Sequence, residues 1–67
     1  MPEQWTGILI GEMHNAKVYH TDLAAELNCS RGYVSMILNG TRSPAGAKER
    51  FRAAFERVLE KRRANEA

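Results

Sequence analysis

Two short segments with helical spacing of apolar residues, 20–27 and 31–38, are separated only by Asn28-Cys29-Ser30. That spacing constrains the fold more than any other feature of the chain. Leu23, Ala24 and Leu27 share one face of the first segment, and Val34, Ile37 and Leu38 share one face of the second. Both read as helices joined by a tight turn. Asn28 tolerates the left-handed conformation that ends many helices, and Ser30 is a good N-cap for the next one. Asn39-Gly40 stops the second helix, because glycine accepts positive φ without penalty. Ala24 is small enough to let the two helices cross closely. With Val34 and Ile37 turned inward, Arg31, Gly32, Tyr33, Ser35 and Met36 point outward.

The flanking sequence reads as two more helices. Over residues 3–15, Trp5, Ile8, Leu9 and Met13 recur at helical spacing, with Gln4 and Glu12 outside the stripe. Gly7 and Gly11 either weaken that helix by about 1 kcal/mol each relative to alanine or mark a close helix contact. Asn15 is the expected stop, and Val18 plugs the core from the connector. Thr41-Arg42-Ser43-Pro44 is a loop, since proline starts a helix more readily than it continues one.

The last helix is expected over residues 45–63, with Ala47, Phe51, Ala54, Phe55, Val58 and Leu59 as its apolar stripe. Phe51 and Phe55 seal the core of one copy. Val58 and Leu59 are expected to reach past the shorter helices and form a homodimer interface, unless the first helix covers them. Lys61-Arg62-Arg63 reads as a solvated helix end that complements the helix dipole, and the tail from Ala64 is expected to fray. No strand or repeat is found. The fold class is all-α, one domain over residues 1–67: a four-helix (alternatively five-helix) bundle with a long C-terminal helix.

Composition narrows the function classes. Sixty-seven residues suffice for one domain, and 43% apolar with 27% charged residues is ordinary for a globular one. The apolar run Ile8-Leu9-Ile10 breaks at Gly11-Glu12, far short of a membrane span. Met1-Pro2-Glu3-Gln4 lacks the basic start of a signal peptide, so a cytoplasmic location is expected. A single Cys29 with His14 and His20 is a poor metal set, so no metal and no cofactor are expected. Cys29 reads as a small apolar turn plug, His14 as a surface residue and Trp5 as a core aromatic. Nucleophilic catalysis needs a base and an orienting group held in a pocket, which so few residues hardly enclose. An enzyme is therefore not expected, nor a small-molecule ligand.

Charge is unevenly divided. Residues 1–27 hold one basic and four acidic groups, a net of −3, and residues 28–67 hold nine and four, a net of +5. No acid lies between Glu26 and Glu49, whereas Arg31, Arg42 and Lys48 do. An acid-free, arginine-bearing window fits a surface that meets phosphate, although a chance gap in a short chain gives the same pattern. The outward face of the second short helix fits the major groove of B-DNA.

At Val18 through Pro44, about two fifths of the chain, the sequence resembles the lambda-repressor-like, Cro and Xre group of helix-turn-helix regulators. Leu23-Ala24, the turn, Val34 and Ile37, and Asn39-Gly40 all fall in register with that family. The resemblance implies a helix-turn-helix over about residues 20–38. Arg31, Gly32, Ser35 and Met36 would face bases, and His20, Tyr33, Asn39, Thr41 and Arg42 would face the DNA backbone. It also places the cap of the first short helix near Tyr19, although Thr21 is the better capping side chain.

Three features depart from the family. Asn28 stands where glycine is usual, and His20 where a glutamine often opens the helix. Met13 and Leu38 stand where an arginine and a glutamate often pair, so an apolar contact is expected there in place of an ion pair. The family domain commonly has five helices.

Each outward residue also has a plainer reading. Arg31 reads as a solvated arginine, Gly32 as drift, Met36 as a scattered exposed apolar residue, Ser35 as a spacer and Tyr33 as packing over the first helix. The function expected is a Cro- or Xre-type repressor that binds double-stranded DNA as a homodimer on a pseudo-palindromic operator. Two alternatives stand beside it: an antitoxin or anti-repressor whose last helix grips a protein partner, and a helical bundle that only binds proteins.

Overall fold

In a computed structural model, which describes residues 4–66, the chain folds into four helices and, among those residues, no strand. They are α1 (Gln4–Ala16), α2 (His20–Leu27), α3 (Arg31–Leu38) and α4 (Ala47–Glu66). No helix is long and apolar enough, among the described residues, to cross a membrane.

The central pair forms as its local signals dictate. Asn28 takes the left-handed conformation (φ 57°), and the N–H of Cys29 closes the turn on the Ala24 carbonyl at 3.0 Å. Ser30 Oγ then accepts the Tyr33 N–H at 3.1 Å and caps α3. Past α3, Gly40 at φ 81° turns the chain, and the N–H groups of Thr41 and Arg42 both donate to the Met36 carbonyl. At the start of α2 the cap residue is Tyr19, not Thr21. Its N–H donates to the Asp22 carboxylate at 2.8 Å, which places that acid over the positive end of the helix.

The core gathers Leu9, Met13, Val18, Leu23, Val34, Ile37 and Leu38 around Phe51, Ala54 and Phe55 of α4. Met13 and Leu38 both lie in this core. Trp5 is half-buried and meets Phe51 edge to face, ring centroids 5.9 Å apart. Cys29 is also half-buried and packs against the core from the turn.

Several expectations are corrected. α1 turns Thr6, Leu9 and Met13 inward and leaves Ile8 52% exposed. The run Ile8-Leu9-Ile10 offers three adjacent faces, and packing against α3 and α4 selects Leu9. No atom lies within 4 Å of a Cβ built on Gly7 or Gly11, so neither marks a close contact within the chain. α1 runs past Asn15 and ends at Ala16, where Lys17 takes φ 58°. α4 begins at Ala47, because Gly46 at φ 79° has no place in a right-handed helix, and it stays helical to Glu66 instead of fraying at Ala64.

The largest correction concerns Val58 and Leu59. Val58 is only 8% exposed, and Leu59 packs partly buried against the core, so they do not form an open apolar patch for a second copy. α4 packs most extensively on α2 and, at its far end, reaches the end of α1. The shorter helices therefore cover the residues expected to protrude.

Candidate nucleic-acid interface

α3 turns two different faces to its surroundings. Val34, Ile37 and Leu38 are buried, while Gly32, Met36 and Asn39 are exposed and Ser35 is half-buried. Met36 is 38% exposed. The outer face thus carries no charge along its length, with Arg31 exposed at its start and Arg42 exposed just past its end. An α-helix with its side chains is about 10–12 Å across, close to the roughly 12 Å width of the B-DNA major groove.

The individual residues differ in how free they are. Ser35 Oγ accepts from Asn39 Nδ2 at 3.3 Å, so these two amphoteric groups are paired with each other and still open to a further partner. Tyr33 is half-buried and packs on the core, in line with its packing role. A Cβ at Gly32 would meet nothing nearer than Ser30 Oγ at 3.9 Å, so nothing inside the fold requires glycine there. Thr41 and Arg42 are exposed on a loop that the Met36 carbonyl ties to the end of α3.

His20, at the first position of α2, lies with Arg31 along one open cleft of about 530 Å³ between the end of α1 and the starts of α2 and α3. The helix-turn-helix geometry thus brings together two residues that the sequence separates by a whole helix. His14 and Lys17 of α1 line the same cleft. Sequence reasoning gave them no role beyond surface. Their only signal was two basic side chains at the end of a helix.

The electrostatics follow from how α4 crosses the bundle. The acidic side chains of the first three helices each meet a cation of α4: Glu12 pairs with Arg52, Glu26 with Arg57 at 2.9 Å and Lys61 at 2.8 Å, and Asp22 lies 3.4 Å from Arg62. The Lys61 ammonium, then Arg57, holds the Glu26 carboxyl below the usual carboxylate range. Arg62 also donates to the carbonyls of Ala16 at 2.7 Å and Lys17 at 2.8 Å, capping α1. Lys61 and Arg62 are therefore tertiary contacts and not the solvated helix end expected from the sequence. Among the described residues, no carboxylate pairs with Lys17, Arg31 or Arg42. The charges of Glu12, Asp22 and Glu26 are thus answered on the α4 side, away from Arg31 and Arg42.

Compared with protein-family models, with curated proteins and with solved structures, the chain matches none.

Proposed function

We propose that the chain is a non-enzymatic, sequence-specific DNA-binding regulator of the Cro and Xre kind. In this reading α3 enters the major groove, and the start of α2 and the loop after α3 rest on flanking phosphates. The observation that carries it is the charge arrangement around α3. Past Arg31 its outer face is uncharged, Arg31 and Arg42 meet no carboxylate among the described residues, and Glu12, Asp22 and Glu26 are held by α4. Phosphate contacts orient a protein on DNA, while side chains on base edges discriminate sequence. Arg31 is the candidate for bidentate donation to guanine, and Arg42 for phosphate. One helix reads only a few base pairs, so useful discrimination calls for two copies with recognition helices about 34–36 Å apart on a pseudo-palindrome. Blocking transcription by occupancy, in the cytoplasm, is the simplest use of such binding.

The test is selection of bound duplexes from a random pool, followed by anisotropy titrations of two variants. Arg31→Ala weakens binding to the selected duplex by about 1–3 kcal/mol and relaxes preference at one base position per half-site. Arg42→Ala weakens selected and random duplexes alike and lowers the salt slope by about one unit per half-site. A wild-type protein that enriches no sequence and binds no duplex at low salt overturns the reading.

A further inference from the structure

We propose that the cleft between the end of α1 and the starts of α2 and α3 is a phosphate seat, in which Lys17 and His14 act together with His20, beside the base-reading Arg31. The proposal rests on the DNA-binding reading for the source of the phosphate and extends the footprint beyond the helix-turn-helix, onto α1.

Three observations support it. Among the described residues, four basic side chains and no acidic one line a cleft of about 530 Å³. An opening of that size admits a phosphodiester together with bridging water. Second, the end of α1 would ordinarily present carbonyl oxygens, the negative end of a helix dipole, and so repel an anion. Here the Arg62 guanidinium takes the carbonyls of Ala16 and Lys17, at 2.7 and 2.8 Å. Of the two acids that adjoin lining residues in sequence, Asp22 accepts from the Tyr19 N–H and lies 3.4 Å from Arg62, and Glu12 pairs with Arg52. What would oppose a phosphate is therefore already engaged.

Third, Lys17 is positioned by backbone that cannot drift. It sits at φ 58°, between the last turn of α1 and the buried Val18, whose N–H donates to the Met13 carbonyl at 2.9 Å. A lysine takes that left-handed conformation at a conformational cost which asparagine or glycine largely avoids. Its ammonium meets no carboxylate among the described residues. Position 17 thus holds an unpaired cation on a fixed turn beside Arg31's cleft, which suits a point contact to phosphate.

The experiment uses Lys17→Asn, which tolerates the left-handed turn, with Lys17→Arg as the charge-retaining control and far-UV circular dichroism to check folding. Duplex affinity is measured by anisotropy across roughly 50–200 mM salt. Backbone amides of residues 14–21 are followed by NMR during titration with the selected duplex and, separately, with inorganic phosphate. Lys17→Asn is expected to lower the salt slope by about one unit on selected and random duplexes alike, with Lys17→Arg restoring it. The amides of residues 14–21 shift with duplex, and free phosphate competes for them. Duplex binding with an unchanged slope and unmoved amides overturns the seat and leaves the DNA-binding reading standing. If the wild type binds no duplex but phosphate moves those amides and Lys17→Asn abolishes the shift, the seat stands as a free-phosphate site and the DNA-binding reading falls. If neither duplex nor phosphate moves them, both fall.

Discussion

Replacing Arg62 by alanine tests whether the far end of α4 holds the bundle together. The guanidinium donates to the Ala16 carbonyl at the end of α1 and to the Lys17 carbonyl just past it, and lies 3.4 Å from Asp22, with its side chain 40% exposed. A hydrogen bond to a charged group contributes about 1.5–3 kcal/mol when desolvated, and exposure lets water replace much of that. A cation at a helix C-terminus adds about 0.3–1 kcal/mol, and an ion pair this exposed adds about 0–1 kcal/mol. Halving the low end of each hydrogen bond for that exposure, and taking the low ends of the dipole and ion-pair contributions, leaves a loss of about 2 kcal/mol, or about 10 °C in melting temperature for a domain this small. Arg63 is the matched control: it is adjacent, exposed and engaged in no ion pair among the described residues. Arg63→Ala should stay within about 0.5 kcal/mol of wild type. Urea denaturation followed by circular dichroism reads both, as midpoints at constant slope. If Arg62→Ala and Arg63→Ala unfold at the same midpoint, the capping of α1 by α4 contributes nothing and the reasoning fails.

The remaining predictions concern packing, backbone and acid. Phe51 is fully buried at the centre of the core, so Phe51→Ala costs about 3–5 kcal/mol. That is a large part of the total stability of so small a domain, and far-UV circular dichroism at 37 °C should show a substantially unfolded population. Gly11 lies mid-helix with open space at its Cβ, so Gly11→Ala should raise stability by about 0.5–1 kcal/mol; a lower urea midpoint would mean that α1 is not helical there. Glu26 is held below its ordinary value of 4.5 by Lys61 and then Arg57, so its contribution is complete above that pH and is lost as pH falls through the lower folded value. Glu26→Gln should flatten that acid limb of the stability curve, and an identical limb in both proteins would remove Glu26 from the account.

The sequence by itself determined the middle of this protein. α2, its turn and α3 fall where residues 20–38 place them, because the signals there are local. Asn28 supplies a left-handed residue, Ser30 a capping oxygen and Gly40 a positive φ, and each acts within four residues of its own position. The inward set Val34, Ile37 and Leu38 follows from helical period alone, and with it the outward set around Met36. Tertiary structure alone decided the rest, because there the sequence offers equivalent choices. Ile8, Leu9 and Ile10 are equally apolar, and only the crossing of α1 over its neighbours buries Leu9. Val58 and Leu59 look like protruding apolar residues until α4 lies along α2, when Val58 becomes core. Arg62 and Arg63 are adjacent and identical in chemistry, yet a turn of 100° per residue brings only Arg62 over the carbonyls of Ala16 and Lys17. The basic cleft has the same origin. His14, Lys17, His20 and Arg31 converge only because α1 packs on α3 and α4 while α4 takes the acids for itself, and helical period carries no record of those contacts.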